Sequence, residues 1–540
     1  MRVVVDLTRC QGYAQCAFLA PDVFEIRGDE ALLYDPEPDD GQRLNVQRAA
    51  AACPVQALQV DGPGGDWSPD VPASAPAPST STSATVDEFR RHGRIVVVGC
   101  SLAGLRAAEA LRAGGFTGSL TMIGDESCEP YDRPPLSKQV LTGMVSADRT
   151  ALPHRGDLGA EWRLGVAATG LDLAERTVEL ADGERVPFDK VLISTGVRAR
   201  PWPVPEQAAL DGACVLHTRD DAADLRRRLE SRPDRVLVVG AGFTGTEVAS
   251  ACRELGVPVT VVASGPAPLS GALGAVIGDV AAGIQREHGV DLRCGLTVDA
   301  LEGDDSGRLR AARLSNGDVV DADVAVVAMG GIRNVEWLEG TALASARWGV
   351  ACDAGCRAFD ENGLVTDHVF VAGDVARAPH PLFGYQFLAL EHWSSAVAEA
   401  EIVAHNMISG ETDRWPSLHV PAFWSIQFDH DIRSVGVPPI ADEVMVVDGS
   451  VAERRFVAAY GYKGRLVAAV AFDAAKWLDF YREAIEAAAA FPPSRRATAT
   501  GEPAVPVSPG FPPPQFPVRD ATVVVTGHEP SARRARLIRR

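Results

Sequence analysis

The sequence predicts an α/β protein built on two strand–turn–helix units of the kind that cradle dinucleotides, with a small α+β unit at each end. Three observations predict it. Two glycine-rich turns, Gly99-Cys100-Ser101-Leu102-Ala103-Gly104 and Gly240-Ala241-Gly242-Phe243-Thr244-Gly245, each follow an apolar run and open a helix-like pattern. The turns lie 141 positions apart, so one folding unit occurs twice. Cysteines at Cys10, Cys16 and Cys53 crowd the first 61 residues, away from both units.

Composition bounds the rest. A chain of 540 residues has length for several domains with large cores, and 46% hydrophobic with 23% charged residues suits a globular protein. A net charge of -20 argues against nucleic acid or an anionic membrane as partner and suits docking on a basic patch. The opening MRVVVDLTRCQ lacks the basic end and apolar core of a signal peptide, and no apolar run reaches membrane-spanning length. The expected location is the cytoplasm, where the ten cysteines serve as reduced thiols or metal ligands.

Residues 1–61 come first. Cys10-Gln-Gly-Tyr-Ala-Gln-Cys16 puts two thiolates on one tight loop, and Cys53-Pro54 returns a third after a helix-like stretch over residues 42–52. Soft thiolates at this spacing select iron–sulfur clusters or zinc, and the proline favours the cluster. From Val3 through Val60 the segment resembles the small single-cluster bacterial ferredoxins that feed oxygenases. In four-iron relatives a cysteine occupies the middle of the loop. Tyr13 stands there instead, so the resemblance implies a 3Fe-4S cluster on Cys10, Cys16 and Cys53. The acidic side chains of this unit, Asp22, Glu25, Asp29 and Glu30 among them, either steer it to a basic partner or face solvent.

A stretch rich in proline, alanine, serine and threonine follows, and residues 62–92 read as a flexible linker. About 25 such residues span on the order of 25 to 30 Å, with effective concentrations around millimolar. The cluster unit is thereby expected to visit the rest of the chain and swing away.

In the first glycine turn Gly99 permits the bend, Gly104 lets helix pack on strand, and Ser101 replaces the usual middle glycine, with Ala103 beside it. The helix start offers N–H groups and a positive dipole end to a pyrophosphate. Glu126 follows the second strand, Leu120-Thr121-Met122-Ile123, where an acid takes ribose hydroxyls. Next comes EPYDRPPLSK, Glu129 to Lys138, which resembles the FAD segment of the flavoprotein ferredoxin reductases that serve oxygenases, the putidaredoxin reductase and dioxygenase reductase family. That resemblance implies a two-dinucleotide-binding flavoprotein with glutathione reductase-like Rossmann domains, and sets Arg133, Pro134 and Lys138 along the flavin. It also implies that Thr195-Gly196 closes over FAD, and that His217 stands where relatives often carry an arginine.

The second turn keeps all three glycines, Gly240, Gly242 and Gly245, with Glu247 two residues on, and is assigned to the nicotinamide cofactor. After Val259-Thr-Val-Val262, where NADH-binding members carry an acid, the chain has Ala263-Ser264-Gly265; NADH and NADPH both stay open. Gly330-Gly331 resembles the turn ending this unit. Val369-Phe-Val-Ala-Gly-Asp374 resembles the second FAD motif, whose aspartate binds the ribityl chain, and Glu391-His392-Trp393 opens a helix expected beside the flavin; Trp393 as a plain core residue is the competing reading. Lys138 and Glu247 are expected, from the family, to pair across the flavin and carry the catalytic role.

The segment beginning VPAFWSIQFD resembles the family's C-terminal α+β domain, with Ile426 replacing a common acid. The expected domains are therefore ferredoxin 1–61, linker 62–92, FAD-binding 93–211 and 333–417, NAD(P)-binding 212–332, C-terminal 418–490, and a Pro-rich disordered tail 491–540 ending in arginines. The expected activity is that of an NAD(P)H-dependent ferredoxin reductase fused to its ferredoxin, passing electrons through FAD and the 3Fe-4S cluster to an oxygenase. A haem-thiolate monooxygenase is the first expectation for that acceptor and a non-haem ring-hydroxylating oxygenase the second. A dithiol reductase is disfavoured because Cys128 has no partner at the right spacing and Cys352 and Cys356 lie elsewhere. A non-enzymatic redox sensor is the rival from another class.

Overall fold

The structure, a computed structural model, describes residues 80–361, 363, 365–383, 386–494, 505–510, 521–526 and 534–539, and before residue 61 the positions 3–5, 16, 20–27, 30–34, 38–52 and 58–60. Cys10, Tyr13 and Cys53 lie outside these, as does the linker up to residue 79.

Runs of β-branched residues form strands buried on both faces, the signature of a parallel sheet covered on two sides. In the first sheet the order is Arg357–Phe359, Val365–Val371, Lys190–Ile193, Arg94–Val98, Ser119–Gly124, Glu161–Leu164, parallel except for the first of these. Alternate residues of Arg94–Val98 feed two different cores. Ile95 and Val97 pack under the helices Leu102–Ala113 and Trp393–Met407, while Val96 and Val98 meet Leu171, Val178 and Phe188 of an antiparallel layer.

The second sheet repeats the plan. Its order is Ala213–Val215, Val324–Val327, Val236–Val239, Val259–Ala263, Asp291–Cys294, all parallel. The helix Phe243–Glu254 covers one face and a three-stranded antiparallel layer within residues 298–321 the other. A third, antiparallel sheet runs in the order Ala422–Gln427, His430–Gly436, Arg465–Phe472, Arg455–Tyr462, Glu443–Ser450, Val505–Val507. Its core is shared with Leu269, Leu273 and Ile277 of the second unit and with Tyr481 and Ile485 of the helix Leu478–Glu486. Near the N-terminus Val3–Val5 pairs with Leu58–Val60 and Phe24–Arg27 with Glu30–Tyr34, and Arg43–Ala52 forms a helix. Among the described residues no helix is long and apolar enough to cross a membrane.

Two expectations are corrected. A helix, Thr80–His92, occupies the end of the expected linker. It is held by side chains the low-complexity stretch before it conceals: Phe89 lies 5.8 Å from Phe116, and the Lys190 ammonium sits 4.5 Å above the Phe89 ring. Arg90 Nε also donates to Ile408 O at 2.9 Å, closing the far end of the Trp393–Met407 helix. The expected disordered tail carries structure as well. Val505–Val507 adds to the edge of the third sheet, Ala275 N–H donates to Pro509 O at 3.1 Å, and Ala521–Thr526 pairs with Arg534–Arg539. An unpaired sheet edge is a ready template for such a strand.

Phe89→Ala is expected to cost about 2 kcal/mol of local stability. Limited proteolysis within residues 80–92 should then speed up roughly thirtyfold, because cleavage follows the population of the open form; an unchanged digestion rate would show that the helix is held elsewhere.

Candidate functional site

Each glycine turn sits at the C-terminal end of a central strand, and the backbone there leaves no room for a side chain. Gly99 has φ 113° and Gly240 φ 109°, and a Cβ would lie 2.2 Å from Ser194 O and 2.3 Å from Ala328 O. Gly104 and Gly245 bring each helix onto its own turn, with a Cβ 2.0 Å from the carbonyl of Gly99 and of Gly240. At the middle position the two differ. Gly242 faces open space with no atom within 4 Å of an added Cβ, whereas Ser101 places a hydroxyl at the helix start without capping it. Both helix N-termini thus keep unpaired N–H groups free for an anion.

Both turns open on one cleft of about 520 Å³. Ser101, Ala103, Arg133, Pro134, Lys138, Thr195, Gly196, Gly242, Glu247, Gly330, Asp374, Glu391 and Trp393 all line it. The remaining glycines, Gly99, Gly104, Gly240 and Gly245, shape the turns beneath. Glu126 is not in the wall; it meets the wall through two residues that are. Tyr131 OH donates to Glu126 Oε2 at 2.5 Å and Arg133 Nη2 to Glu126 Oε1 at 2.6 Å. Burial raises the Glu126 carboxyl, but the Arg133 guanidinium and the Tyr131 hydroxyl outweigh it and hold it below its ordinary value. Arg133 also donates to His217 O at 2.8 Å; burial, with Arg133 adding, pushes the His217 imidazole down to about 4 and keeps it neutral.

Lys138 and Glu247 meet as a direct ion pair at 2.7 Å, with side chains 15% and 6% exposed. The same carboxylate is held from two further directions. Ser137 Oγ donates to Glu247 Oε2 at 2.5 Å and Ser425 Oγ to Glu247 Oε1 at 2.7 Å. Two segments far apart in sequence, Ser137-Lys138 and Ser425, therefore fix one side chain. Trp393 lines the cleft, and its Nε1 donates to Asp132 Oδ1 at 2.9 Å, which holds the indole in the wall. Thr195 Oγ1 donates to Asn334 O, and Asn334 Nδ2 returns a bond to Thr195 O, both at 2.8 Å. Glu391 pairs with Arg333 at 2.8 Å. Burial, with Glu391 adding, pushes the Asp374 carboxyl up to about 7, against Arg333 and Arg133.

Sequence reading missed Asp132, Asn334 and Ser425. Asp132 stands inside the EPYDRPPLSK string and Ser425 inside VPAFWSIQFD, though neither string marks its partner; Asn334 is brought in only by folding. Of the three candidate cluster ligands, Cys16 is buried and the other two lie outside the described residues. Among the described residues no cysteine lines the cleft. Burial pushes the thiols of Cys352 and Cys356 well up and raises Cys128, so none presents a thiolate at neutral pH.

An anionic dinucleotide fits this cleft: its phosphates have two uncapped helix starts, and Gly242 leaves the space a Cβ would fill. Beyond Val259–Ala263 the exposed Ser264 offers neither an acid for a ribose 2'-hydroxyl nor a cation for a 2'-phosphate.

Residues 93–400 match the pyridine nucleotide-disulphide oxidoreductases, residues 3–60 the 4Fe-4S single cluster domain, and residues 422–504 the reductase C-terminal domain. The chain is similar to rhodocoxin reductase of Rhodococcus erythropolis, at 36% identity over 361 residues, 66% of this chain and 81% of that protein. It is also similar to the ferredoxin–NAD(+) reductase component of the anthranilate 1,2-dioxygenase system of Burkholderia cepacia, at 34% identity over 412 residues, 75% of this chain and 97% of that one. Among solved structures, the ferredoxin reductase for the CYP199A2 system from Rhodopseudomonas palustris superposes with a TM-score of 0.69 at 28% identity, covering 76% of this chain and 98% of that chain.

Proposed function

Because the chain belongs to the pyridine nucleotide-disulphide oxidoreductases, as a ferredoxin reductase with an N-terminal iron–sulfur domain, we propose that it carries electrons from NAD(P)H through FAD to its own 3Fe-4S cluster and on to a haem-thiolate oxygenase. The observation that carries this reading is the single cleft on which both glycine turns open, bridged by the Lys138–Glu247 pair. FAD, when bound, supplies entry for two electrons at once and exit for one at a time.

The chain's own residues bind, orient and charge the site. Ser101 and the helix start behind it receive one pyrophosphate, and Gly242 with its helix start receives the other. Lys138 holds a fixed positive charge on the wall, and Glu247 keeps its ammonium from turning away. Asp132 sets the plane of the Trp393 indole. Arg133, ion-paired to Glu126, stiffens the adjoining strip. Asp374 offers a carboxyl on the same wall for hydroxyl groups of the ribityl chain.

The cluster type rests on Tyr13, which stands where a fourth thiolate would be needed. The acceptor rests on the names of relatives: the reductase for the CYP199A2 system supports the haem-thiolate reading, and the anthranilate dioxygenase component supports a non-haem oxygenase as the second. One anaerobic titration, run once with NADH and once with NADPH, tests the whole path. Flavin absorbance should bleach and the spin signal of the oxidised cluster should vanish in the same sample, and the nucleotide that acts at lower concentration is the donor. Bleaching of the flavin with the cluster signal untouched would break the internal path.

A further inference from the structure

Glu399 lies on the helix Trp393–Met407, outside the cleft wall. Its Oε2 accepts a hydrogen bond from the Gly373 backbone N–H at 2.8 Å. Gly373 is left-handed, with φ 77°, and a Cβ there would lie 3.0 Å from Cβ of Ala103. The turn that carries Asp374 is therefore pressed between the first glycine-turn helix on one side and Glu399 on the other. Among the described residues no lysine, arginine or histidine pairs with Glu399.

We propose that Glu399 is a positioning residue for the dinucleotide seat: it fixes the Gly373–Asp374 turn by accepting the Gly373 N–H across from the Leu102–Ala113 helix. The inference rests on the FAD reading above and names a residue that reading does not use.

The half-buried surroundings of Glu399 favour the uncharged form. Asp374 is the adjacent carboxyl, and the buried thiols of Cys352 and Cys356 face the same region. Of the charged residues of the helix Leu102–Ala113 that packs alongside, Arg106 and Glu109 are bonded to each other at 2.6 Å and Arg112 donates to the carbonyls of Phe116, Gly118, Leu158 and Gly159. Arg333 and Arg133 act on Asp374, opposed by Glu391. Burial pushes Glu399 up to about 8, with Asp374 adding and the Gly373 N–H opposing. A folded-state value raised above the ordinary carboxylate range means that the proton helps the native site, and that this help is lost as pH rises through about 8. An ionised Glu399 also repels the dinucleotide's phosphates, so FAD affinity falls in the same window. A protonated carboxyl keeps an acceptor oxygen for the Gly373 N–H, as an amide does.

The test is the FAD dissociation constant of the full chain, E399Q and E399L, from flavin fluorescence at pH 6, 7.5 and 9. At pH 6 E399Q should bind FAD as the wild type does; at pH 9 it should bind about tenfold tighter, since only the wild type has ionised there. Asp374 titrates in both proteins, so the difference between the two curves is the readout. E399L, which offers the N–H no acceptor, should bind about tenfold more weakly at every pH. Superimposable curves for E399Q and wild type, or wild-type affinity in E399L at pH 6, overturn the inference while leaving the FAD reading intact. A wild type that binds no FAD at any pH removes that reading and the inference together.

Discussion

A Cys53→Ala protein is expected to keep its yellow colour and its rate of flavin reduction by NAD(P)H, while losing bound iron and sulfide and all delivery of electrons to the oxygenase. Three thiolates are the whole ligand set proposed for the cluster, so removing one leaves no complete cage. The loss should extend to folding, because binding an inorganic centre and ordering its loop are one free energy. The N-terminal unit has little else to stand on: its described core is small, built around Val3, Val23, Phe24, Val46 and Leu58. A unit of about 60 residues buries too little surface to be robust without such a staple. Iron and sulfide analysis, the cluster spin signal and reduction of a small one-electron dye give the three readouts. A variant that retains wild-type iron and sulfide would remove Cys53 from the site.

Lys138→Met should cost the most of any change within the cleft. It leaves Glu247, only 6% exposed, without its cation, and breaking a buried pair from one side costs about 3 kcal/mol or more. Ser137 and Ser425 still donate to the carboxylate, which keeps the penalty at the low end of that range. The rate of flavin bleaching by NAD(P)H, followed by stopped flow, is expected to fall about a hundredfold, as when one preorganised charge is removed from an electrostatically tuned site. Affinity for FAD should change far less, since the seats proposed for its phosphates are backbone helix starts and not Lys138. A variant that binds FAD and bleaches at the normal rate would end the proposed role of this pair.

What could be read from sequence was what the backbone itself enforces. Gly99 and Gly240 are dictated by a left-handed turn against a neighbouring carbonyl, so strand, turn and helix announce themselves in a short window. Lys138 and Glu247 were legible through a family string. Ser425 was not, because it meets Glu247 across 178 positions and a serine in a strand carries no mark of its partner. Glu399 looks like any polar residue of a helix until Gly373 is folded beneath it. The helix Thr80–His92 was hidden by the serine- and threonine-rich composition of its own first half. The strand Val505–Val507 was hidden by Pro506, which reads as a breaker but is tolerated at the edge of a sheet.

Glu247 answers to Ser137 and Lys138 on one side and to Ser425 on the other. The reductase is consequently indivisible in a way its repeated architecture disguises. A fragment cut after residue 417 would keep both nucleotide seats, yet one oxygen of its central carboxylate would face a void where Ser425 had been. Grafting only the twin nucleotide folds onto another electron carrier would carry over the sockets without the keystone that sets them.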